Sequence, residues 1–271
     1  IAGHVPAFST ANAMIEAGFD EITHANQLML GWVLEDGEDT RTLFRFTAMK
    51  RFPALDANGE DVRYTINRMK ERNVAHDPTI AIHELGLTAV NGQPAPMARD
   101  IIDHLPTNEQ RSLKQALFGT ESPEERTEYV AAFDFILDIL ARLHSEGVLL
   151  LPGTDLGGSF AYHRELELFE TIGLTPAEVL RRASYDMATY LGQAEDLGSI
   201  EKGKYADFFL ENYNLVFGTS AGLLNLVLPL AISFFTFQAI SYIVDVYRKE
   251  VKAQRNIFDL ALYISLFPQL I

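Results

Sequence analysis

The stretch "VLLLPGTDLGGS", residues 148–159, decides the fold. Four apolar residues after Gly147 read as a buried strand, Pro152 and Gly153 end it, and the loop beyond carries Asp155 ahead of Gly157 and Gly158. Just upstream, "SPEERTEYVAAFDFILDILARLHSEG" reads as a helix ending at Gly147: Ser122 caps it, Pro123 takes its first position and Glu125 closes a capping box. Val130, Phe133, Ile136, Leu140 and Leu143 form its apolar stripe. Downstream, "TPAEVLRRASYDMATYLG" repeats the capping pattern with Thr175, Pro176 and Glu178. Strand alternating with helix predicts an α/β parallel sheet whose loops carry chemistry.

The same step occurs earlier in the chain. "STANAMIEAG" predicts a helix capped by Ser9 and stopped at Gly18, and "FDEITH" a strand ending at His24. A polar, helix-rich region follows to about residue 74, and then "VAHDPTIAI", a β-branched run interrupted by a turn. Residues 83–121, mixed in charge and broken by Pro and Gly, read as a helical insertion or lid.

Composition divides the chain in two. Residues 212–271 hold four of the 22 basic and three of the 37 acidic side chains, which leaves a net charge of −16 on residues 1–211. So acidic a body excludes binding to a nucleic-acid backbone, which needs a basic face. With no cysteine, any metal is held by His, Asp or Glu, and the compartment, cytoplasmic or periplasmic for a soluble protein, stays open. The opening "IAGHVPAFS" has neither an initiator Met nor a signal-peptide pattern and reads as part of something longer.

His4, His24 and Asp155 each stand where an apolar strand gives way to a loop. In a parallel barrel such ends converge on one face. Imidazoles and a carboxylate suit a divalent ion such as zinc, and Asp155 could then ligate the ion and relay the proton of attacking water. The alternative is structural: each His hydrogen-bonds within its loop, and Asp155 caps the following helix.

"GHVPAFSTANAMIEAGFDEITHANQ", "PGTDLGG", "HRELELFETIGLTPAEVLRRASYDMATYLG" and "LGSIEKGKYAD" together resemble the C-terminal half of a metal-dependent amidohydrolase, nearest the imidazolonepropionase-like and Xaa-Pro dipeptidase-like branch. The resemblance covers most of residues 1–207 and implies strands 5–8 of a (β/α)8 barrel of the TIM type. It implies His4 and His24 as metal ligands after strands 5 and 6, "DPT" at 77–79 as the seventh strand's end, and Asp155 as ligand and general base after the eighth. It places His163 near substrate, although a helix-surface role suits that residue equally. His76, His83, His104 and His144 match no motif and read as ordinary core or surface histidines. One or two divalent ions, zinc foremost, and a small amide, cyclic amide or dipeptide substrate are implied. The His-x-His pair that the family carries after its first strand occurs nowhere in this sequence, so the chain alone is expected to be an inactive hydrolase.

From Asn212 to Val244 no residue is charged, and "AGLLNLVLPLAISFFTFQAISYIV" at 221–244 exceeds the roughly 20 residues that cross a bilayer. Residues 208–271 therefore read as a second, hydrophobic helical domain that meets the membrane through residues 212–271, with the basic loop "DVYRKEVKAQRN" on the cytoplasmic side. Residues 204–271, with the core "SFFTFQAISYIVDVYR", resemble membrane-bound O-acyltransferases of the alginate O-acetylation type. None of the seven His lies in 212–271, so no acyl-transfer residue carries over. The letters "KYADFF" belong to both resemblances, which makes a chimeric fusion of the two a third reading.

Overall fold

The computed structural model describes residues 1–117, 122–201 and 203–204. The chain divides into two compact units, Ile1–Lys202 and Gly203–Ile271. The expected membrane segment, 212–271, lies outside the described residues. Among the described residues no helix is long and apolar enough to cross a membrane.

The first unit is built on three short parallel strands, β1 (Ala2–Gly3), β2 (Glu21–Thr23) and β3 (Ala75–Asp77), in the order β1-β2-β3. Ala2 pairs with Glu21, and Ile22 with His76. A fourth parallel segment joins through one bridge, His76 to Leu150. The His76 N–H donates to Leu149 O at 2.9 Å and Leu151 N–H to His76 O at 2.8 Å. Pairing stops there because Pro152 has no N–H to donate. The expected α/β parallel sheet is thus present, with "VLLL" contributing a single bridge in place of a regular strand.

Helices α1 (Ala11–Glu16), α2 (Ala25–Met29), α3 (Phe44–Thr47) and α4 (Glu60–Arg72) fill the connections up to β3. Then come α5 (Ile80–Thr88), α6 (Thr107–Ser112), α7 (Pro123–Ser145), α8 (Ser159–Thr171), α9 (Pro176–Arg181) and α10 (Met187–Tyr190). Thr10, one residue after the expected Ser9, caps α1 and accepts from the Ala13 N–H at 3.2 Å. Ser122 and Thr175 cap α7 and α9 as their sequences predict, and Thr175 with Glu178 forms a complete capping box. Residues 182–186 form one π-helical turn between α9 and α10.

The core lies between sheet and helices, where Ile15, Ile22, Ile66, Met69, Ile136 and Phe169 are fully buried. On α7 the expected stripe is displaced: Val130 is exposed, while Tyr129, Ala132 and Ile139 join Phe133, Ile136, Leu140 and Leu143 inside. Residues 83–88, expected within the insertion, belong to α5, which packs on α7 and α8. Pro78 turns the chain out of β3, and the buried Glu165 carboxylate of α8 accepts the Ile80 and Ala81 N–H groups at 2.9 and 2.6 Å. This long-range cap starts a helix where "TIAI" alone favours a strand.

Candidate functional site

Three strand ends meet in unusual backbone conformations. His24, Thr79 and Asp155, which follow β2, β3 and the Leu150 segment, have φ of 66°, 47° and 51°. Non-glycine residues in the left-handed region store strain that the surrounding structure must hold, and such residues cluster at functional sites. Here the strain turns each side chain off its strand at one end of the sheet.

His24 is at the centre. Its Nδ1 lies 2.8 Å from Thr79 Oγ1, its Nε2 lies 2.8 Å from His4 Nε2, and Asp155 Oδ2 is 3.8 Å away. When Nδ1–H donates to the threonine hydroxyl, His24 Nε2 carries a lone pair and accepts from His4 Nε2–H. Burial, then the neighbouring His4, lowers the His24 pKa, Asp155 acts to raise it, and Arg45 also lowers it. His24 therefore stays neutral at physiological pH, the state in which an imidazole binds metal.

Thr79 holds a second ring as well. His83 Nδ1–H donates to Thr79 O at 2.8 Å, and His83 Nε2 accepts the Asn26 N–H at 3.3 Å. Burial pushes its pKa down to about 4. With both nitrogens committed, His83 lines the site as a structural residue. His76 is buried, donates Nδ1–H to Ile22 O at 2.8 Å and is likewise held at about 4. Its Nε2 has no partner among the described residues.

Asp77 and Gly153 form a close contact behind the site. A Cβ on Gly153 would sit 2.5 Å from Asp77 Oδ2, so the glycine of "PGTDLGG" leaves room for that carboxylate. Burial raises the Asp77 pKa to about 7, helped by Glu21 and Asp155.

His4, His24 and Asp155 open onto a pocket of about 120 Å³ walled by Phe46, Met49, Ile82 and Leu87. The structure thus brings together the three residues expected as ligands. His163, half-buried on α8 with its pKa lowered by burial, is not among the pocket's lining residues. His104 and His144 are also absent from that lining.

The donor chemistry of the site fits a divalent ion: a back-bonded neutral imidazole, a second imidazole against it and an accessible carboxylate. The spacing does not yet amount to a site, because among the described residues no group of three His, Asp or Glu is placed to hold an ion. Two nitrogens on one tetrahedral zinc lie about 3.3 Å apart, so the histidine pair must open by roughly half an ångström to share one.

The model of the Amidohydrolase family matches residues 7–237. This chain belongs to the amidohydrolase family. Among solved structures, this amidohydrolase is similar to a Xaa-Pro dipeptidase with bound methionine in the active site, with a TM-score of 0.41 and 21% identity over 72% of this chain and 34% of that one. A second likeness is separate. The probable alginate O-acetylase AlgI of Pseudomonas putida is 42% identical over 86 residues, 30% of this chain and 18% of that protein. The peptidoglycan O-acetyltransferase of Helicobacter pylori is 38% identical over 92 residues, 25% of this chain and 18% of that protein. The amidohydrolase chain therefore spans less than a fifth of these curated relatives and about a third of the dipeptidase. Both likenesses expected from the sequence are found in one chain. His24 and Asp155 lie inside the matched residues, and His4 shortly before them. Divalent-metal chemistry is general to the family.

Sequence reasoning missed Thr79, which orients both His24 and His83, and Arg45, which faces the pocket. The only signal for Thr79 was its place at the end of a strand in "DPT"; Arg45 sits in a polar stretch with no motif.

Proposed function

We propose that residues 1–207 carry the second half of a site that hydrolyses C–N bonds of small amides, cyclic amides or dipeptides, with His4, His24 and Asp155 as the residues that would hold a divalent ion. The observation behind this reading is the Thr79 clamp, which holds the His24 ring by its Nδ1 and leaves Nε2 facing His4. An ion at these residues, zinc foremost given nitrogen and oxygen donors alone, would supply Lewis-acid activation of the scissile carbonyl and of the attacking water. Asp155 is solvent-accessible enough to take the proton from that water and deliver it to the departing amine. Neutral His24 avoids repulsion with a cation, and the apolar walls limit competing water. In this reading the sheet is part of a (β/α)8 barrel, strands 5–8, and His163 meets only a substrate that extends beyond the pocket.

The sequence holds no His-x-His. The 271-residue chain alone therefore binds its ion weakly and does not turn over. Calorimetric titration with Zn²⁺, run beside an amine-release assay on N-acetyl-L-alanine and small dipeptides, tests both parts. The expected result is one zinc per chain, an affinity at least tenfold weaker in His24→Ala, and release at the buffer background. Zinc binding indifferent to His24→Ala removes the metal reading, and rapid release by this chain removes the claim of an incomplete site.

The likeness to AlgI favours a second reading for residues 204–271, as a membrane piece of an O-acyltransferase without its acyl-transfer residues. Retention in membranes through carbonate washing would support it; recovery in the soluble fraction would remove it. A single long sequencing read that broke within the codons for Lys204 to Asn214 would instead make the two parts separate proteins.

A further inference from the structure

The pocket that holds His24 also holds an uncommitted cation. Arg45, the second residue of α3, lines the pocket with His4, His24 and Asp155, and its charge reaches His24, whose pKa it lowers. Its guanidinium lies 4.7 Å from the Phe46 ring centroid. That stacking leaves the planar edge of N–H donors free. No carboxylate among the described residues lies within ion-pair distance of Arg45; its backbone N–H donates to Thr42 O at 3.3 Å.

Arg63, Arg99, Arg111 and Lys114 likewise have no carboxylate within ion-pair distance among the described residues, but none of them lines the pocket of His4, His24 and Asp155. Neighbouring cations are committed: Lys50 to Glu125 and Glu128, Arg51 to Glu38 at 2.7 Å, Arg41 to Asp39 at 2.8 Å. A larger open groove, about 860 Å³, lies against Lys50 and Arg51, and both of its cations are paired in this way. A half-buried guanidinium against apolar walls, with Asp155 in the same pocket yet unpaired to it, is short of one anion.

We propose that Arg45 is the specificity-determining residue of this pocket and that it recognises a carboxylate on the substrate. The substrate class is then an N-acyl amino acid or short peptide whose free carboxylate pairs with Arg45 while its amide faces the His4, His24 and Asp155 group. A guanidinium binds a carboxylate through two parallel hydrogen bonds, which gives orientation as well as affinity. The pocket's small volume, about 120 Å³, restricts the group between amide and carboxylate to a short side chain. The inference rests on the hydrolase reading for the orientation of the amide, and its test is a binding measurement that needs no turnover.

The test is isothermal titration of the full chain with N-acetyl-L-alanine and with its neutral counterpart N-acetyl-L-alaninamide. The acid is expected to bind at least tenfold more tightly than the amide. Arg45→Met, which keeps the apolar stem, should bring the two to parity without weakening the amide, and Arg45→Lys should keep part of the preference. Equal affinity of acid and amide in the unmodified chain, an unchanged preference in Arg45→Met, or no binding of either ligand would overturn the proposal. Acid binding through Arg45 together with zinc binding indifferent to His24→Ala would sink the hydrolase reading and leave this one standing.

Discussion

Thr79 is a β-branched residue in a conformation that such residues rarely adopt, and it is the hinge of the site. Its hydroxyl holds the His24 ring and its carbonyl accepts from His83 Nδ1–H, so one strained residue orients two imidazoles. Gly153 is the matching sterically fixed position. Gly153→Ala would drive a methyl into the Asp77 carboxylate, and the expected cost is about 1–3 kcal/mol, read as a lower urea midpoint at unchanged slope. An unchanged midpoint would mean that the Asp77 carboxylate moves aside freely.

Four titratable residues, the buried His76, His83 and Glu165 and the half-buried Asp77, give stability an unusual pH profile. His76 and His83 are held at about 4, so the native state refuses protons that the unfolded chain takes below about 6.5; this stabilisation is complete above 6.5 and is lost as pH falls toward 4. Asp77 and Glu165 are raised by burial to about 7 and about 8. They keep protons that the unfolded chain has released, so stability falls as pH rises from about 4 through those values. Between 4 and 6.5 the two pairs offset each other; above 6.5 only the carboxyls titrate. Stability is therefore expected to drop by about 2–3 kcal/mol from pH 6.5 to 8. Glu165→Gln, neutral throughout, should remove most of that drop; a drop of the same size in the variant would contradict the role given to Glu165.

At the scale of elements, local signals were legible and long-range ones were not. Ser122, Pro123, Thr175 and Glu178 announce their helices because a cap is read within four residues. Thr175→Ala should cost about 1 kcal/mol in chemical denaturation, whereas Val130→Ala on the exposed side of α7 should cost little. Equal costs at the two positions would contradict this assignment of cap and surface. α5 was hidden because its cap is Glu165, 85 residues away, and neither "TIAI" nor "HRELELF" reveals the partnership. The strand ends at His24 and Asp155 were visible as apolar runs breaking into loops. Arg45 was not, since an unpaired charge shows only when its neighbours are known.

For the molecule as a whole, the first unit has a parallel sheet of which each outer edge lacks a strand partner among the described residues. At one edge the Arg182 guanidinium meets the Leu150 carbonyl at 3.4 Å, in the direction where a ladder would continue. Such edges suit the proposed reading of the sheet as part of a barrel, in which the three candidate ligands gather at one end. The most direct test of that account is X-ray absorption at the zinc edge of the zinc-loaded chain. Two imidazole nitrogens and at least one oxygen at about 2.0–2.2 Å are predicted, with one imidazole lost in His24→Ala. A zinc shell of oxygen alone, or one unaltered by His24→Ala, would contradict the site described for His4, His24 and Asp155.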